Sequence, residues 1–104
     1  MGSGAYQFRV SDALEVPLRG YLLRLRLTEG EPDIGALGPG KKITLRAPNG
    51  AQRVVTVKDF SLIQGKPSQE RFDRTRELDV LIENPDAIIG DEIVDVGWTV
   101  AEPT

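Results

Sequence analysis

The chain contains short runs in which apolar and polar residues alternate at every second position. The clearest is YLLRLRL, where Leu23, Leu25 and Leu27 alternate with Arg24 and Arg26. This period predicts half-buried β-strands, because successive side chains of a strand point to opposite faces of the sheet. The runs are YQFRV, YLLRLRL, KITLRA, RVVTVKDFSLI, ELDVLIE and DEIVDVGWTV. Together they predict an all-β fold, a small closed antiparallel β-barrel of six or seven strands.

Turn-forming residues separate these runs. Asn49-Gly50, between ITLRAP and AQRVVTV, is the strongest short hairpin signal in the chain, because both residue types tolerate a positive φ. Segment 29–42 contains four glycines and two prolines. It is predicted to be a mobile surface loop over a barrel mouth, where a partner is expected to touch. Asn84-Pro85-Asp86 and Gly90-Asp91 mark two later turns.

One polar segment, SQERFDRTREL at 68–78, contains good helix formers. Ser68 is a typical N-cap, but Arg71 stands three positions later, where a capping box has Glu or Gln. Phe72 and Leu78 are too few apolar residues to form a helix face. We expect a long polar loop here, with at most one turn of helix, and no convincing helix elsewhere.

The inward positions of the alternating runs define the predicted core. Trp98 is expected to plug one end of the barrel, and Tyr21 is expected to face inward. For both residues the alternative is stacking on a nucleic-acid base. The predicted core consists of Phe8, Val10, Leu23, Leu25, Leu27, Ile43, Leu45, Val55, Val57, Phe60, Leu78, Val80, Ile82, Val94 and Val96.

Length and composition point to a single domain. A chain of 104 residues is the size of one folding unit. Residues 1–5 are interpreted as a flexible leader or cloning remnant, and residues 6–104 as a single β-barrel domain. No apolar run approaches the ~20 residues that cross a bilayer, and the N-terminus has no signal-peptide pattern. The absence of cysteine fits a cytoplasmic location.

Missing residue types narrow the chemistry. Without His or Cys, the chain lacks the common general base, the usual zinc ligands and a thiol nucleophile. We expect no enzyme, no catalytic residues, no metal and no cofactor. The acids Asp86, Asp91, Glu92 and Asp95 lack the spacing of a calcium loop and are interpreted as solvated charges. GALGPGKK lacks the Gly-Lys-Ser/Thr ending of a phosphate-binding loop.

Charge is unevenly distributed along the chain. The net charge is −3, yet residues 1–54 carry eight basic and five acidic side chains. From Glu77 onward there are eight acids and no base. Arg24 and Arg26 share a strand face and could bridge phosphates; the favoured alternative is cross-strand pairing with acids of ELDVLIE. An RNA contact would also require Lys41, Lys42, Arg46 or Arg53 to join them. The candidate partner-binding residues are Arg19, Arg24, Arg26, Lys41 and Lys42.

A family resemblance extends over most of residues 8–96. FRVSDALEVPLRGYLLRLRLTEGEPDIGALGPGKKITLRAP resembles the start of the second domain of translational GTPases, the β-barrel that follows the nucleotide-binding domain in elongation factor Tu. Arg19-Gly20 stands at the family's RG, Gly30 ends the next strand, and Gly40 precedes KKITL. LDVLIENPDAIIGDEIVD resembles a late strand and turn of that domain. The resemblance implies a translation-protein-like barrel without GTP hydrolysis, since this sequence contains no P-loop.

Two functions are consistent with these features. The first is a non-catalytic β-barrel binding module that contacts RNA or a protein partner, because the family's barrel contacts transfer RNA or ribosomal RNA. No residue here matches those family contacts closely enough to carry them over. The alternative is a protein-interaction or assembly domain without a nucleic-acid role. Neither function involves a membrane or a small-molecule cofactor.

Overall fold

The computed structural model describes residues 5–60 and 68–103, and within them six strands form the main sheet. Residues 1–4 of the expected leader and residues 61–63 of the run RVVTVKDFSLI lie outside the described residues. Besides the strands there are 3-10 helices at Ile34–Leu37 and Pro85–Ala87 and an α-helix, α1, at Gln69–Thr75. The strands are β1 Tyr6–Val16, β2 Gly20–Gly30, β3 Lys42–Arg46, β4 Gln52–Phe60, β5 Glu77–Ile82, β6 Ile88–Ile89, β7 Glu92–Ile93 and β8 Thr99–Ala101.

The main sheet closes on itself in the order β1-β2-β5-β4-β3-β8, with β8 pairing back to β1. Every pair in this ring is antiparallel. Strands β6 and β7 form a separate two-stranded ribbon. The predicted all-β fold, a small closed antiparallel barrel, is confirmed. Where the ring is closed, the strands have no free edge that would expose unpaired backbone groups.

Alternation along the strands builds the core. On β2, Leu23 and Leu25 are fully buried, whereas the arginines between and after them point outward. Of the predicted core, Leu27 and Phe60 are only partly buried, and Val96 is exposed. Trp98 is buried as expected, and Tyr21 packs partly against the core. The members of the buried hydrophobic core that the pattern missed are Tyr6, Leu37, Ala47, Phe72, Leu81, Ala87 and Val100.

The run DEIVDVGWTV is not one strand, contrary to the prediction. Strand β7 covers only Glu92–Ile93, and β8 begins at Thr99. Between them lies a turn in which the Trp98 N–H donates to the Asp95 carbonyl, and Gly97 has a φ of +97°. Val96 lies in this turn and is 52% exposed. The strand that closes the barrel therefore follows Trp98 rather than preceding it.

The prediction of a loop at 68–78 is wrong, because α1 occupies most of that segment. The Ser68 hydroxyl accepts a hydrogen bond from the Arg71 N–H, which caps the helix without a capping box. Phe72 is buried and packs against Phe8, with ring centroids 5.9 Å apart. One deeply buried aromatic side chain anchors this short helix, so an extended apolar stripe is not needed.

Segment 29–42 also contains more regular secondary structure than a surface loop would. Its first two residues belong to β2, and Ile34–Leu37 forms a 3-10 helix. Leu37 is fully buried, and the Ile34 N–H donates to the side chain of Gln69 on α1. The segment is thus held in place by Leu37 in the core and by the hydrogen bond from Ile34 to α1. The Asn49-Gly50 hairpin between β3 and β4 is confirmed.

Candidate functional site

Arg24 and Arg26 point outward from β2 toward acids on β5. In the strand register Arg24 lies opposite Asp79, and Arg26 lies opposite Glu77. The Arg24 guanidinium makes two hydrogen bonds to the Asp79 carboxylate, at 3.0 and 3.2 Å. The Arg26–Glu77 pair is longer, at 3.4 Å. The hydrogen bonds to Asp79 and its negative charge raise the pKa of the Arg24 guanidinium above its ordinary value. Both arginines therefore carry a paired charge, as cross-strand pairing predicts.

The other predicted residues lie elsewhere on the barrel. Arg19 is in the β1–β2 turn, where its backbone carbonyl accepts a hydrogen bond from Lys58 at 2.9 Å. Lys41 immediately precedes β3, and Lys42 begins it. In the closed ring, β2 and β3 are separated by two strands in either direction. The five candidate residues consequently do not form one surface.

A different basic surface crosses β3, β8 and β1. Arg46 pairs with Thr99 across the β3–β8 ladder, and Thr99 pairs with Arg9 across the β8–β1 ladder. Their neighbours in sequence point into the core, so these three side chains point outward. We call this surface the β3–β8–β1 face. Its residues are Gln7, Arg9, Lys42, Thr44, Arg46, Thr99 and Ala101, and none of them is acidic.

The basic side chains of this face have no acidic partner. Among residues 5–60 and 68–103, neither Arg9 nor Arg46 makes an ion pair or a side-chain hydrogen bond. Lys42 only donates to the Thr56 hydroxyl, at 3.4 Å. Two strand spacings separate Arg9 from Arg46, or about 9.6 Å, and the four-residue step from Lys42 to Arg46 along β3 is about 13 Å. Arg26 continues the same row, because it lies opposite Arg9.

Sequence reasoning missed Arg9 and did not connect it with Arg46. The available signal was the alternation, which places each arginine on the outer side of its own strand. Their proximity depends on β8, which lies between them and pairs with both β1 and β3. Pairing between runs so far apart in sequence is set by the closed topology rather than by a local motif.

Two of the acids near the C-terminal end bind neighbouring groups. Asp86 lies 3.9 Å from the guanidinium of Arg53, which also donates to the carbonyls of Pro85 and Ile88. The Asp95 carboxylate accepts a hydrogen bond from the Val96 N–H. Within the described part of the chain, no three His, Cys, Asp or Glu side chains are grouped to hold a metal ion. In that same part, no helix is long and apolar enough to cross a membrane.

No protein-family model matches the chain, and no curated protein matches it.

Proposed function

We propose that this protein is a non-catalytic binding module that contacts RNA through the β3–β8–β1 face. The supporting observation is the row Arg46–Thr99–Arg9, whose two guanidinium groups have no acidic partner in the described part of the chain. Arginine suits this role, because its planar group of donors matches the oxygens of a phosphate. The resemblance to the β-barrel that forms the second domain of translational GTPases supports the same choice and a cytoplasmic location.

The geometry favours contact with the RNA backbone over contact with the bases. The ~9.6 Å between Arg9 and Arg46 is wide enough for the two guanidinium groups to contact different phosphates of one strand. The residues between them are small or polar, so a strand can approach closely. The aromatic residues on the same strand as Arg9, Tyr6 and Phe8, are buried and unavailable for base stacking. Binding should therefore depend on salt more than on sequence.

A pair of double variants with matched charge tests this proposal. Arg9→Gln with Arg46→Gln removes two positive charges from the β3–β8–β1 face, and Arg24→Gln with Arg26→Gln removes two from the paired β2 row. Using a fluorescent single-stranded RNA of mixed sequence, we expect the first variant to lose about tenfold in affinity and the second less than about twofold. Equal losses would contradict the assignment of the face, because they would reflect net charge alone.

Salt dependence provides the second measurement. Three phosphate contacts on a single strand predict a slope near −2 for log affinity against log salt, or roughly a 20-fold loss from 50 to 200 mM. The Arg9→Gln, Arg46→Gln variant should have a slope closer to −1. An affinity that is independent of salt in the unmodified protein would rule out phosphate contacts.

A protein-assembly role without nucleic acid is the second candidate. The surface near β6 and β7 exposes Ile88, Ile93 and Val96, and exposed apolar patches often mark protein contacts. On this alternative the protein self-associates or binds a protein with little salt dependence. Sedimentation of the unmodified protein and of an Ile93→Ser, Val96→Ser variant, with and without RNA, distinguishes the two roles.

A further inference from the structure

The barrel is closed along only part of β1. Strand β8 pairs with β1 from Gln7 to Arg9, and the adjoining backbone at Val10 exchanges hydrogen bonds with Gly97 and Trp98. Strand β1 continues for six more residues. Among the described residues, β2 is the only strand that pairs with this continuation. Residues 12–16, which we call the β1 edge, therefore have one side available to another strand.

Backbone groups of the β1 edge point toward this open side. The Val16 carbonyl accepts a hydrogen bond from the Arg19 N–H in the turn to β2, so Val16 faces β2. Alternation along an antiparallel strand then turns the N–H and C=O of Glu15 and Ala13 away from β2. The Ala13 N–H donates to its neighbour, the Asp12 carboxylate, at 3.0 Å, which agrees with this direction. An incoming strand would find the Glu15 N–H, the Glu15 carbonyl and the Ala13 carbonyl.

An apolar row on the outer surface ends at this edge. The register places Leu14 opposite Leu22 and Leu22 opposite Leu81. These three residues alternate with inward residues and lie outside the main core cluster. Burial falls along the row, from Leu81 at 4% exposed to Leu14 at 56% exposed. An added strand with an apolar residue beside Leu14 would extend the row and cover that side chain.

A charged row ends at the same edge. Asp79, Arg24 and Asp12 lie opposite one another across β5, β2 and β1. Arg24 forms its close pair with Asp79, so Asp12 ends the alternation with a negative charge at the exposed end. A basic residue opposite Asp12 would continue the sequence acid, base, acid, base. Side chains on one face of a strand are two residues apart, so the apolar and basic residues of a partner would have this spacing.

We propose that the β1 edge binds an extended peptide of another protein as an added strand, with an apolar residue opposite Leu14 and a Lys or Arg opposite Asp12. Strand addition supplies affinity through the backbone and specificity through alternate side chains. A second copy of this chain fits less well. Two antiparallel β1 edges paired around Leu14 would place Asp12 opposite Val16 and Glu15 opposite Ala13, so neither copy would supply a base opposite Asp12. This site lies apart from the β3–β8–β1 face and does not rest on RNA binding.

Peptides that differ in one residue test the charge rule. The probe is an acetylated, fluorescent nine-residue peptide of threonines, with leucine and lysine at its two outward central positions; the comparison peptide has glutamate in place of lysine. We expect the lysine peptide to bind about 5- to 10-fold more tightly. A pair of opposite charges across two strands stabilises their pairing and a pair of like charges destabilises it, and the difference corresponds to an affinity ratio of this size. The Asp12→Lys variant should reverse the preference. An unchanged preference in Asp12→Lys would overturn the assignment.

A proline substitution tests the strand geometry. Glu15→Pro removes the outward N–H of the edge but no N–H that faces β2, so the fold should tolerate it. Glu15→Gln makes the same change of charge and keeps the N–H. We expect at least a fivefold loss of lysine-peptide binding in Glu15→Pro relative to Glu15→Gln, with matching circular dichroism spectra. If Glu15→Pro is unfolded, Leu14→Thr serves instead and should also weaken binding. Equal binding by all variants, or self-association that Glu15→Pro abolishes, would overturn the proposal.

Discussion

The two basic rows, which adjoin where β1 pairs with β2, differ in their partners. On the β2–β5 side, Arg24 and Arg26 lie opposite Asp79 and Glu77, and each arginine is paired. On the β3–β8–β1 face, the register places Arg9 and Arg46 on either side of Thr99, with no acid in the row between them. The same residue type therefore stabilises strand pairing on one side and remains available on the other.

This difference shows why a count of charges along the sequence does not locate a binding surface. The conspicuous LRLRL motif carries the neutralised arginines, whereas the isolated Arg9 and Arg46 are brought together by folding. Strand order determines which acids and bases meet. A variant in one row is therefore best compared with a variant in the other.

The largest effect is expected from Trp98→Ala. Trp98 is 3% exposed and directly precedes β8, the three-residue strand that aligns Arg9 with Arg46. Loss of this side chain should lower the free energy of unfolding by about 3–5 kcal/mol. Phe72→Ala on α1 is the control, with a similar expected cost, because its ring packs against Phe8 in the core and it belongs neither to β8 nor to the turn before β8. At 10 °C, after correction for the unfolded fraction, RNA affinity should fall only in Trp98→Ala. If RNA affinity fell equally in both variants, the loss would not depend on β8, and the role of β8 in the face would be contradicted.

The next effect concerns alkaline pH. Burial, with a smaller contribution from Glu102, raises the pKa of Tyr6 to about 12. The folded protein thus favours the neutral phenol. The resulting stabilisation is complete below the unfolded pKa near 10 and is lost as pH rises toward 12, a change of about 3 kcal/mol. In Tyr6→Phe, this part of the pH dependence should disappear from urea unfolding curves.

Tyr6 ionisation can also be followed directly. Because the chain has two tyrosines, the Tyr21→Phe variant leaves Tyr6 as the only phenol, and absorbance at 295 nm reports its titration. A midpoint near 12 is expected while the protein is folded. A midpoint near 10 in the folded protein would show that Tyr6 is solvated. Ionisation of Tyr6 on β1 would then not explain a loss of stability at alkaline pH.

A smaller effect is expected from Asp79→Asn. The Arg24–Asp79 pair is bidentate but only partly buried, with Arg24 40% and Asp79 16% exposed. Solvent screening limits its contribution, so we expect a loss of about 1 kcal/mol in unfolding free energy. RNA affinity should rise about twofold or more, because an unpaired Arg24 resembles Arg9. Asp91→Asn, in the exposed β6–β7 turn, makes the same charge change as a control. Equal gains in affinity would attribute the effect to net charge.

The fold was accessible from sequence where local patterns determine it. Alternation identified the inward Leu23 and Leu25, and Asn49-Gly50 identified a hairpin. Errors occurred where one residue anchors a segment with no repeating pattern, as Leu37 and Phe72 do. A turn between two short strands also placed Val96 outside the core. Such positions depend on tertiary packing, which sequence periodicity does not encode.

The candidate site was less accessible than the fold. The cross-strand partners of Arg24 and Arg26 could be foreseen, because ELDVLIE is acidic and alternates. The row through Arg9 and Arg46 required the register of β8 with two other strands. Leu81 was missed for the same reason: it lies on the outer side of β5, and it is buried because the strand register places it beside Leu22. Residues that meet across distant strands are determined by topology.

The smallest effect on stability, and the sharpest comparison, is expected from Glu77→Gln. The Arg26–Glu77 pair is 3.4 Å long and well exposed, so its loss should change the free energy of unfolding by less than about 0.5 kcal/mol. Arg26 lies opposite Arg9, and without Glu77 it would extend the β3–β8–β1 face by one cation. RNA affinity should rise about two- to threefold, and the salt slope should become steeper by about 0.7.

A gain in affinity that persists in the Arg26→Gln, Glu77→Gln double variant would contradict this reading, because Arg26 would then not be the added contact. If Glu77→Gln lowered the free energy of unfolding as much as Asp79→Asn, both ion pairs would stabilise the pairing of β2 with β5. The two rows would then differ only in whether acids lie opposite their arginines.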